Sequence, residues 1–305
     1  MQTGQGHHGW VFGLTAYGLW GFLPLYFWAL RHVSPWEIVA QRVVWSAVLL
    51  LLIVATTRRW QKIRTCLRQP ATRRTLVLTS ILIGLNWFLF VYAASTSQLT
   101  QASLGYFVAP LVNTALGVFV LGERLRRSQQ VALALAATGV VVLTLRLGEV
   151  PWLAISLAVS FCVYGLLRKT VAADALTGLA IETFILTPFV AAFLVWQVRR
   201  STWSFAQGDR LTDLLLISGG VVTVFPLYCF TEAARRLRLT TLGFLQFLSP
   251  TIQLVLATTA FGEPFDHDRL AGFVPIWLAL GIYLFDAVSH HHRSRRGMAA
   301  APVIE

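Results

Sequence analysis

One stretch of sequence occurs twice in this chain and constrains its fold more than any other feature. Residues 99–123 read LTQASLGYFVAPLVNTALGVFVLGE, and residues 239–263 read LTTLGFLQFLSPTIQLVLATTAFGE. A single offset of 140 superimposes Pro110 on Pro250 and Gly122-Glu123 on Gly262-Glu263. Agreement in register inside two apolar runs of equal length indicates an internal duplication.

Both copies are free of charge from their Leu-Thr start to their glycine, and each is long enough to cross a bilayer. Ten apolar segments, most of them with no more than one internal charge, follow one another along the chain. They cover roughly residues 9–30, 35–56, 75–94, 101–122, 129–145, 151–167, 176–197, 213–231, 241–261 and 269–288. Their apolar residues lie all round a helix, and the period-2 alternation of a barrel strand is absent. The sequence therefore predicts an all-α polytopic membrane protein with ten transmembrane helices.

The duplication divides the chain into two five-helix halves. We expect a first repeat over residues 1–147, a second over 148–289 and a basic tail over 290–305. Because each half has an odd number of spans, the two halves enter the membrane in opposite directions. Inverted repeats of this kind are typical of secondary transporters, which bind their solutes near mid-membrane at the repeat interface.

The positive charges predict the orientation. With the N-terminus in the cytoplasm, the cytoplasmic loops and the tail hold 18 of the 25 lysines and arginines and the opposite side holds six. This bias follows the positive-inside rule and places both termini in the cytoplasm. It also accounts for the net charge of +12 without a nucleic-acid partner.

Composition excludes several other classes of protein. Only 12% of the residues are charged, about half of what a soluble domain carries, so we expect no large soluble domain. The first apolar segment, Gly9 to Leu30, lacks the basic start of a signal peptide and is predicted to be a retained span. Three scattered cysteines predict neither disulfides nor a metal site. No nucleotide-binding or catalytic motif is found, so we expect neither a cofactor nor an enzyme.

Four segments carry a resemblance to a known family. They are YGLWGFLPLYFWAL (17–30), PWEIVAQRVVWS (35–46), NWFLFVYAA (86–94) and SLGYFVAPLVNTALGVFVLGERL (103–125). They resemble the RarD group of the EamA-type transporters, a branch of the drug/metabolite transporter superfamily. The resemblance covers nearly the whole chain and implies ten helices in two inverted halves around a central cavity. It also carries a family association with chloramphenicol, which no residue of this sequence supports by itself.

Arg42 is the charged residue with the clearest functional interpretation. It lies about seven residues inside the second span, where an unpaired charge costs several kcal/mol. Glu37 is five residues earlier and on another face of the helix, so the two cannot readily pair. Arg42 must then meet another helix, a cavity or an anionic solute. The alternative is a structural arginine that bonds carbonyl groups or stacks on Trp20 or Trp45.

Glu182 and Glu37 are the candidates for proton coupling. Each lies near the start of a span, in the seventh and the second segment, where a carboxyl group shielded from water could carry a proton. The sequence near Glu182 shows no basic residue that would pair with it. For Glu37 the alternative is an acid of the first helical turn, favoured by the positive end of the helix dipole.

Polar and aromatic residues near the two prolines form the predicted cavity. Pro110 and Pro250 each remove a backbone donor and free a carbonyl, which suggests a hinge or a static kink. Asn113 and Gln253, one turn later, could bond solute or neighbouring helices. The remaining predicted lining residues are Asn86, Trp87, Tyr92, Tyr106, Gln246 and Trp20, for which packing is the alternative.

The Gly-Glu pairs that end the repeats are interpreted as structural. Gly122 and Gly262 can end a helix in the left-handed conformation. Glu123 and Glu263 can then accept hydrogen bonds from the backbone groups that begin the next helix.

These observations predict a secondary-active transporter of a small organic solute in the bacterial inner membrane. It would be an exporter or permease that works by alternating access with proton coupling or exchange. A passive facilitator and a membrane scaffold or sensor are the alternatives. Besides the solute and the lipid bilayer, a second copy of the chain is a possible partner, since lipid-facing and partner-facing surfaces look alike in sequence.

Overall fold

A computed structural model describes residues 2–96, 98–147, 151–200, 203–261 and 274–286, and these residues form helices joined by short connections. The helices are α1 (Gln2–Ala29), α2 (Pro35–Thr56), α3 (Trp60–Arg68), α4 (Pro70–Ser95), α5 (Leu99–Phe119), α6 (Arg127–Leu147), α7 (Trp152–Thr170), α8 (Ala175–Arg199), α9 (Arg210–Arg236), α10 (Leu239–Gln246), α11 (Leu248–Thr259) and α12 (Val274–Asp286).

The predicted all-α membrane fold is confirmed. Seven helical segments are long and apolar enough to cross a bilayer, where α10 and α11 count together as one segment, Leu239–Thr259. The helix α12 and the segment Leu104–Phe119 of α5 are shorter apolar helices. Every one of the ten predicted segments corresponds to a helix, with the ninth divided into α10 and α11 and the tenth described only over 274–286. The predicted tail at 290–305 lies outside the described residues, and the domain boundaries stay predictions.

The sequence did not predict helix α3. It lies in the basic connection between α2 and α4 and buries Ile63 and Cys66, which are three residues apart on one face. Its other positions are mostly charged or polar, so it contains no continuous apolar run. A search for apolar runs cannot detect a short amphipathic helix of this kind.

Local signals explain where several helices begin. Pro35 and Pro70 occupy the first turn of α2 and α4, where a missing N–H costs nothing. Asp174 caps α8 by accepting the Thr177 N–H. Burial raises the pKa of Asp174, but the hydrogen bonds from Thr177 and the charges of Arg59 and Lys62 outweigh burial and hold it below its ordinary value.

The helix contacts recur in matched pairs. In the first half α1 packs against α9 and α11, and its repeat counterpart α7 packs against α4 and α5. The contact of α2 with α9 likewise has its counterpart in the contact of α8 with α4. The pairs α2–α8 and α5–α10 join equivalent helices of the two halves. This pattern is expected when two copies of one unit pack around a pseudo-twofold axis.

Candidate functional site

A cavity of about 120 Å³ lies between the two halves. Its wall comes from α1, α2, α4 and α5 of the first half and from α7, α9, α10 and α11 of the second. The wall is mostly apolar and aromatic, with a few polar groups. The aromatic members are Tyr17, Trp20, Phe27, Trp87, Phe90, Tyr106 and Phe161, and the charged and polar ones are Arg42, Asn86, Thr223, Gln246 and Ser249.

Arg42 projects from α2 into this wall. Its Nε donates to Thr223 Oγ1 at 2.8 Å, and its guanidinium carbon lies 5.5 Å from the centre of the Phe27 ring. Thr223 in turn donates to the Gly219 carbonyl at 2.7 Å. A Cβ at Gly219 would lie 2.8 Å from Arg42 Cγ, so this glycine provides the space in which the arginine crosses to α9.

Six of the nine predicted cavity residues line the cavity. They are Trp20, Arg42, Asn86, Trp87, Tyr106 and Gln246. Asn86 Nδ2 donates to the Leu157 carbonyl at 2.9 Å and to Ser160 Oγ at 3.0 Å, which fixes its amide against α7.

The other three predicted residues lie outside the lining. Asn113 Nδ2 donates to Gln246 Oε1 at 2.8 Å, and Gln253 Nε2 donates to the Trp20 carbonyl at 3.2 Å. Each of these amides therefore bonds a lining residue without lining the cavity itself. Tyr92 packs its ring against Trp152 at 6.3 Å instead.

Each of the two prolines leaves a carbonyl of a lining residue without its helical hydrogen bond, although one helix is continuous and the other is interrupted. α5 continues through Pro110, whereas the ninth span is interrupted at Phe247, between α10 and α11 and three residues before Pro250. A proline offers no N–H to the carbonyl four residues earlier. For Pro110 that carbonyl belongs to Tyr106, and for Pro250 to Gln246. Both residues lie in the cavity wall.

Helices α5 and α10 approach closely beside this break. A Cβ added at Gly243 would lie 2.7 Å from the Pro110 carbonyl oxygen and 2.8 Å from Thr114 Oγ1. The contact joins α5 of the first half to α10 of the second, and only a residue without a side chain fits there.

We expect Gly243→Ala to lower the free energy of unfolding by about 1–3 kcal/mol, the usual effect of overpacking a tight contact. Gly18→Ala is the matched control, because a Cβ at Gly18 meets nothing within 4 Å. Alanine there should be neutral or stabilising, since alanine favours a helix by roughly 0.5–1 kcal/mol over glycine. Equilibrium unfolding in detergent measures both, and equal effects would contradict the predicted clash.

Glu182 of α8 lies outside the cavity lining. It belongs to a buried polar cluster whose other residues come from α4 and α7. It accepts hydrogen bonds from Thr79 Oγ1 at 2.6 Å and Tyr164 OH at 3.2 Å, and Arg168 Nε lies 3.5 Å from its carboxylate. The interpretation that Glu182 has no basic neighbour is wrong. Arg168 lies in the last turn of α7, and its fully buried side chain reaches α8, which the short turn after α7 places beside it.

Gly178 makes this charge pair possible. A Cβ at Gly178 would lie 1.9 Å from Arg168 Nη1, so the guanidinium occupies the space of a missing side chain. Arg168 Nη2 also donates to the Ala175 carbonyl at 3.0 Å, in the first turn of α8. The arginine is held between the start of α8 and the carboxylate of Glu182, two turns later.

Glu37 is fully buried and contacts backbone groups of the connection before α9. Its Oε1 accepts the N–H groups of Ser204 and Phe205 at 3.0 and 3.1 Å. The residue lies in the first turn of α2, as predicted for an acid that follows Pro35. Its carboxylate fixes the connection between α8 and α9.

Glu123 bonds the other half of the molecule. Gly122 before it has a φ of 66°, the left-handed conformation expected at a helix end. The Glu123 carboxylate accepts the N–H groups of Leu239 and Thr240 at 2.8 and 3.0 Å, which begin α10. The helix it caps is thus not the next one along the chain but the repeat counterpart of α5. Gly262 and Glu263 lie outside the described residues.

Comparisons with known proteins agree with this architecture. Residues 8–145 match the model of the EamA-like transporter family. The chain is 43% identical over 286 residues to an uncharacterized transporter of Vibrio cholerae, covering 94% of this chain and 95% of the relative. It is 41% identical over 296 residues to protein RarD of Escherichia coli, covering 97% of this chain and 100% of the relative.

A more distant relative and a solved structure extend the comparison. The chain is 30% identical over 301 residues to a chloramphenicol-sensitive protein RarD of Pseudomonas aeruginosa, covering 97% of this chain and 99% of the relative. A crystal structure with 19% sequence identity matches with a TM-score of 0.69 over 92% of this chain and 98% of that chain. At that identity the match shows the fold alone.

Proposed function

Since the chain belongs to the EamA-like transporter family, in the RarD group of the drug/metabolite transporter superfamily, we propose that it is a secondary-active transporter. It carries a small organic solute across the bacterial inner membrane by alternating access, with proton coupling or exchange as the driving force. The observation that carries the proposal is the cavity whose wall comes from both halves.

The position of the cavity supports an outward-facing state. The wall residues Phe27, Phe90 and Ala102 lie near the ends of α1 and α4 and the start of α5, which the positive charges assign to the periplasmic side. Toward the other side, Glu123 contacts the start of α10 and closes the space between the halves. A carrier in this state would take up or release its solute on the periplasmic side.

Polar contacts on the cytoplasmic side also join elements within the second half. Lys169 Nζ donates to the Ala234 carbonyl at 2.8 Å, and Arg235 Nη1 donates to the Ala173 carbonyl at 2.7 Å. These contacts connect the end of α9 to the turn between α7 and α8. They hold this end of the second half together, whereas the Glu123 contact joins it to the first half.

Purified protein in liposomes with an imposed pH gradient tests the proposal. Internal pH is followed while amino acids, organic anions and aromatic drugs are added one at a time, with protein-free liposomes as the control. We expect a proton flux that depends on one class of solute, or counterflow of labelled solute if the carrier is an exchanger.

Other outcomes would overturn the proposal. Downhill movement that never drives uphill accumulation in either assay would indicate a passive facilitator. Absence of movement for every solute, with protein that retains its thermal unfolding transition, would favour the scaffold.

A further inference from the structure

The described residues of the cavity wall contain one positive charge and no acidic side chain. Among them, Arg42 alone has a formal charge. None of the ion pairs formed by the described residues includes it. An uncompensated charge within the hydrocarbon region is energetically unfavourable. A negative charge brought by the solute would remove much of this cost.

The contacts of Arg42 hold its guanidinium in place and leave one edge for a ligand. Thr223 accepts from Nε alone, and within the described residues Nη1 and Nη2 donate no protein hydrogen bond. The Phe27 ring near the guanidinium limits its rotation. Two parallel N–H groups on a fixed plane match the two oxygens of a carboxylate.

Aromatic rings form much of the remaining wall. Trp20 and Phe161 meet edge to face with centroids 5.4 Å apart, and Phe27 and Phe90 are 5.7 Å apart. Trp87 and Tyr106 also line the cavity. Such walls favour a planar ring, because offset and edge-to-face contacts add to the burial of apolar area.

The same wall disfavours a cationic solute. A second positive charge about 8 Å from Arg42 would be repelled enough to weaken binding by roughly 30-fold at an effective dielectric constant of about 20. The lining side chains that the structure describes include no carboxylate that would offset this repulsion.

We propose that the cavity binds an aromatic organic anion, with its carboxylate on Arg42 and its ring among Trp20, Trp87 and Phe161. This inference rests on the proposed function, since it assigns the class of solute that the carrier moves.

Four small probes of related shape test the class. They are 3-phenylpropanoate, its neutral amide 3-phenylpropanamide, the cation 3-phenylpropylamine and the aliphatic anion hexanoate. Binding is measured by isothermal titration calorimetry with the full chain in lipid nanodiscs. We expect 3-phenylpropanoate to bind more tightly than each of the other three.

Variants of Arg42 assign the preference to this residue. Hydrogen bonds to a charged group contribute about 1.5–3 kcal/mol, so Arg42→Gln is expected to weaken 3-phenylpropanoate about 10- to 150-fold and leave the amide nearly unchanged. Arg42→Lys should keep the preference for the anion over the amide with a smaller loss of affinity. Arg31→Gln is the matched control, because Arg31 is exposed and stacks on Trp28 at 4.2 Å, outside the cavity.

The possible results separate this inference from the proposed function. If the charged and neutral probes bind equally, or if Arg42→Gln and Arg31→Gln weaken 3-phenylpropanoate equally, the assignment of an anion to Arg42 is wrong, whatever the liposomes show. Hexanoate that binds as tightly as 3-phenylpropanoate would overturn the aromatic part. Selective binding of 3-phenylpropanoate without movement of any solute across liposomes would keep the ligand class and overturn transport.

Discussion

Replacing Arg168 by methionine is expected to lower the free energy of unfolding by about 3–5 kcal/mol, because it leaves the buried Glu182 without its countercharge. Both side chains are almost completely shielded from solvent, and the Nε of Arg168 lies 3.5 Å from the carboxylate. Equilibrium unfolding of the purified protein in detergent measures the loss. Glu182→Gln should cause a loss of similar size, since it leaves the buried arginine unpaired.

The double variant Arg168→Met/Glu182→Leu distinguishes a charge pair from two independent effects. Removing both partners of a buried pair in favour of apolar side chains is often neutral. We therefore expect the double variant to recover most of the stability that either single variant loses. Additive losses would contradict the pairing.

The partly exposed pair of Arg59 and Asp174 is the control for this cycle. Its oxygen and nitrogen lie 2.9 Å apart, closer than in the buried pair, but its side chains keep 29% and 38% of their exposure. Exposed pairs contribute about 0–1 kcal/mol. A loss above 2 kcal/mol in Arg59→Met would show that the unfolding assay does not resolve buried from exposed pairs.

The same double variant tests whether Glu182 carries a proton. An arginine and two hydroxyl donors stabilise the ionised carboxylate in this conformation, so the geometry favours a structural role here. If the double variant is stable and still shows solute-dependent proton flux in liposomes, Glu182 is not the coupling residue. If it keeps solute exchange and loses proton flux, the proton assignment of Glu182 is supported.

The sequence predicted the helices well because bilayer spans need long apolar runs. It could not predict the partner of Glu182, since a basic residue at a helix end looks like one of the cytoplasmic charges of the positive-inside pattern. The turn between α7 and α8 brings Glu182 of α8 beside Arg168 in the last turn of α7. Gly178 carries a weak signal, since a glycine one turn before a buried acid leaves space for a large partner.

The duplication held a further signal about the polar residues. The offset of 140 places Arg42 on Glu182, and each is the eighth residue of its helix, α2 or α8. Each also bonds a threonine of a facing helix, Thr223 for Arg42 and Thr79 for Glu182. The two halves thus place polar groups of opposite charge at equivalent positions. In this conformation only the arginine borders the cavity.

Much of the cavity wall had no readable sequence signal. Phe27 and Phe161 lie in spans that are rich in aromatic residues, and lipid-facing, packing and cavity aromatics are alike in sequence. Three of the six lining residues that sequence did identify, Arg42, Asn86 and Gln246, have charged or amide side chains, which are rare inside spans. Asn113 and Gln253 show the limit of that rule, because a polar residue in a span can support a lining residue without lining the cavity.

Glu123→Ala is expected to raise the ratio of conformations that are open on the cytoplasmic side to those that are closed there by about 5- to 30-fold. The carboxylate caps α10, and the loss of a helix cap costs typically about 1 kcal/mol and up to about 2 kcal/mol. A change of one or two kcal/mol alters such a ratio by roughly 5–30. The expectation rests on the proposed transport cycle, in which this contact between the halves must break.

Thiol labelling measures the opening. Thr114→Cys reports on the buried contact of α5 with Gly243, in a chain whose Cys66, Cys162 and Cys229 are replaced by alanine. In inverted vesicles, an impermeant maleimide should label this cysteine about 5–30 times faster after Glu123→Ala, if labelling follows the open fraction. A second reporter, Ala102→Cys in the cavity wall, should show no increase in right-side-out vesicles, whereas unfolding would expose both.

Glu232→Ala is the control that distinguishes the loss of a contact between the halves from the loss of any acidic side chain on this side. Glu232 pairs with Arg236 within α9, so its removal takes an acid from this side and leaves the hydrogen bonds of Glu123 to α10 in place. Glu123, by contrast, holds the connection after α5 to the start of α10, and Arg238 Nη2 also donates to the Arg124 carbonyl at 2.6 Å across the same boundary. If Glu232→Ala accelerates the labelling of Thr114→Cys as much as Glu123→Ala does, Glu123 is not the contact that closes the cytoplasmic side. If only Glu123→Ala does so, the Gly-Glu sequence that ends the first repeat stabilises the outward-facing state. It does so because Glu123 joins the two halves at the place where the cavity must open inward.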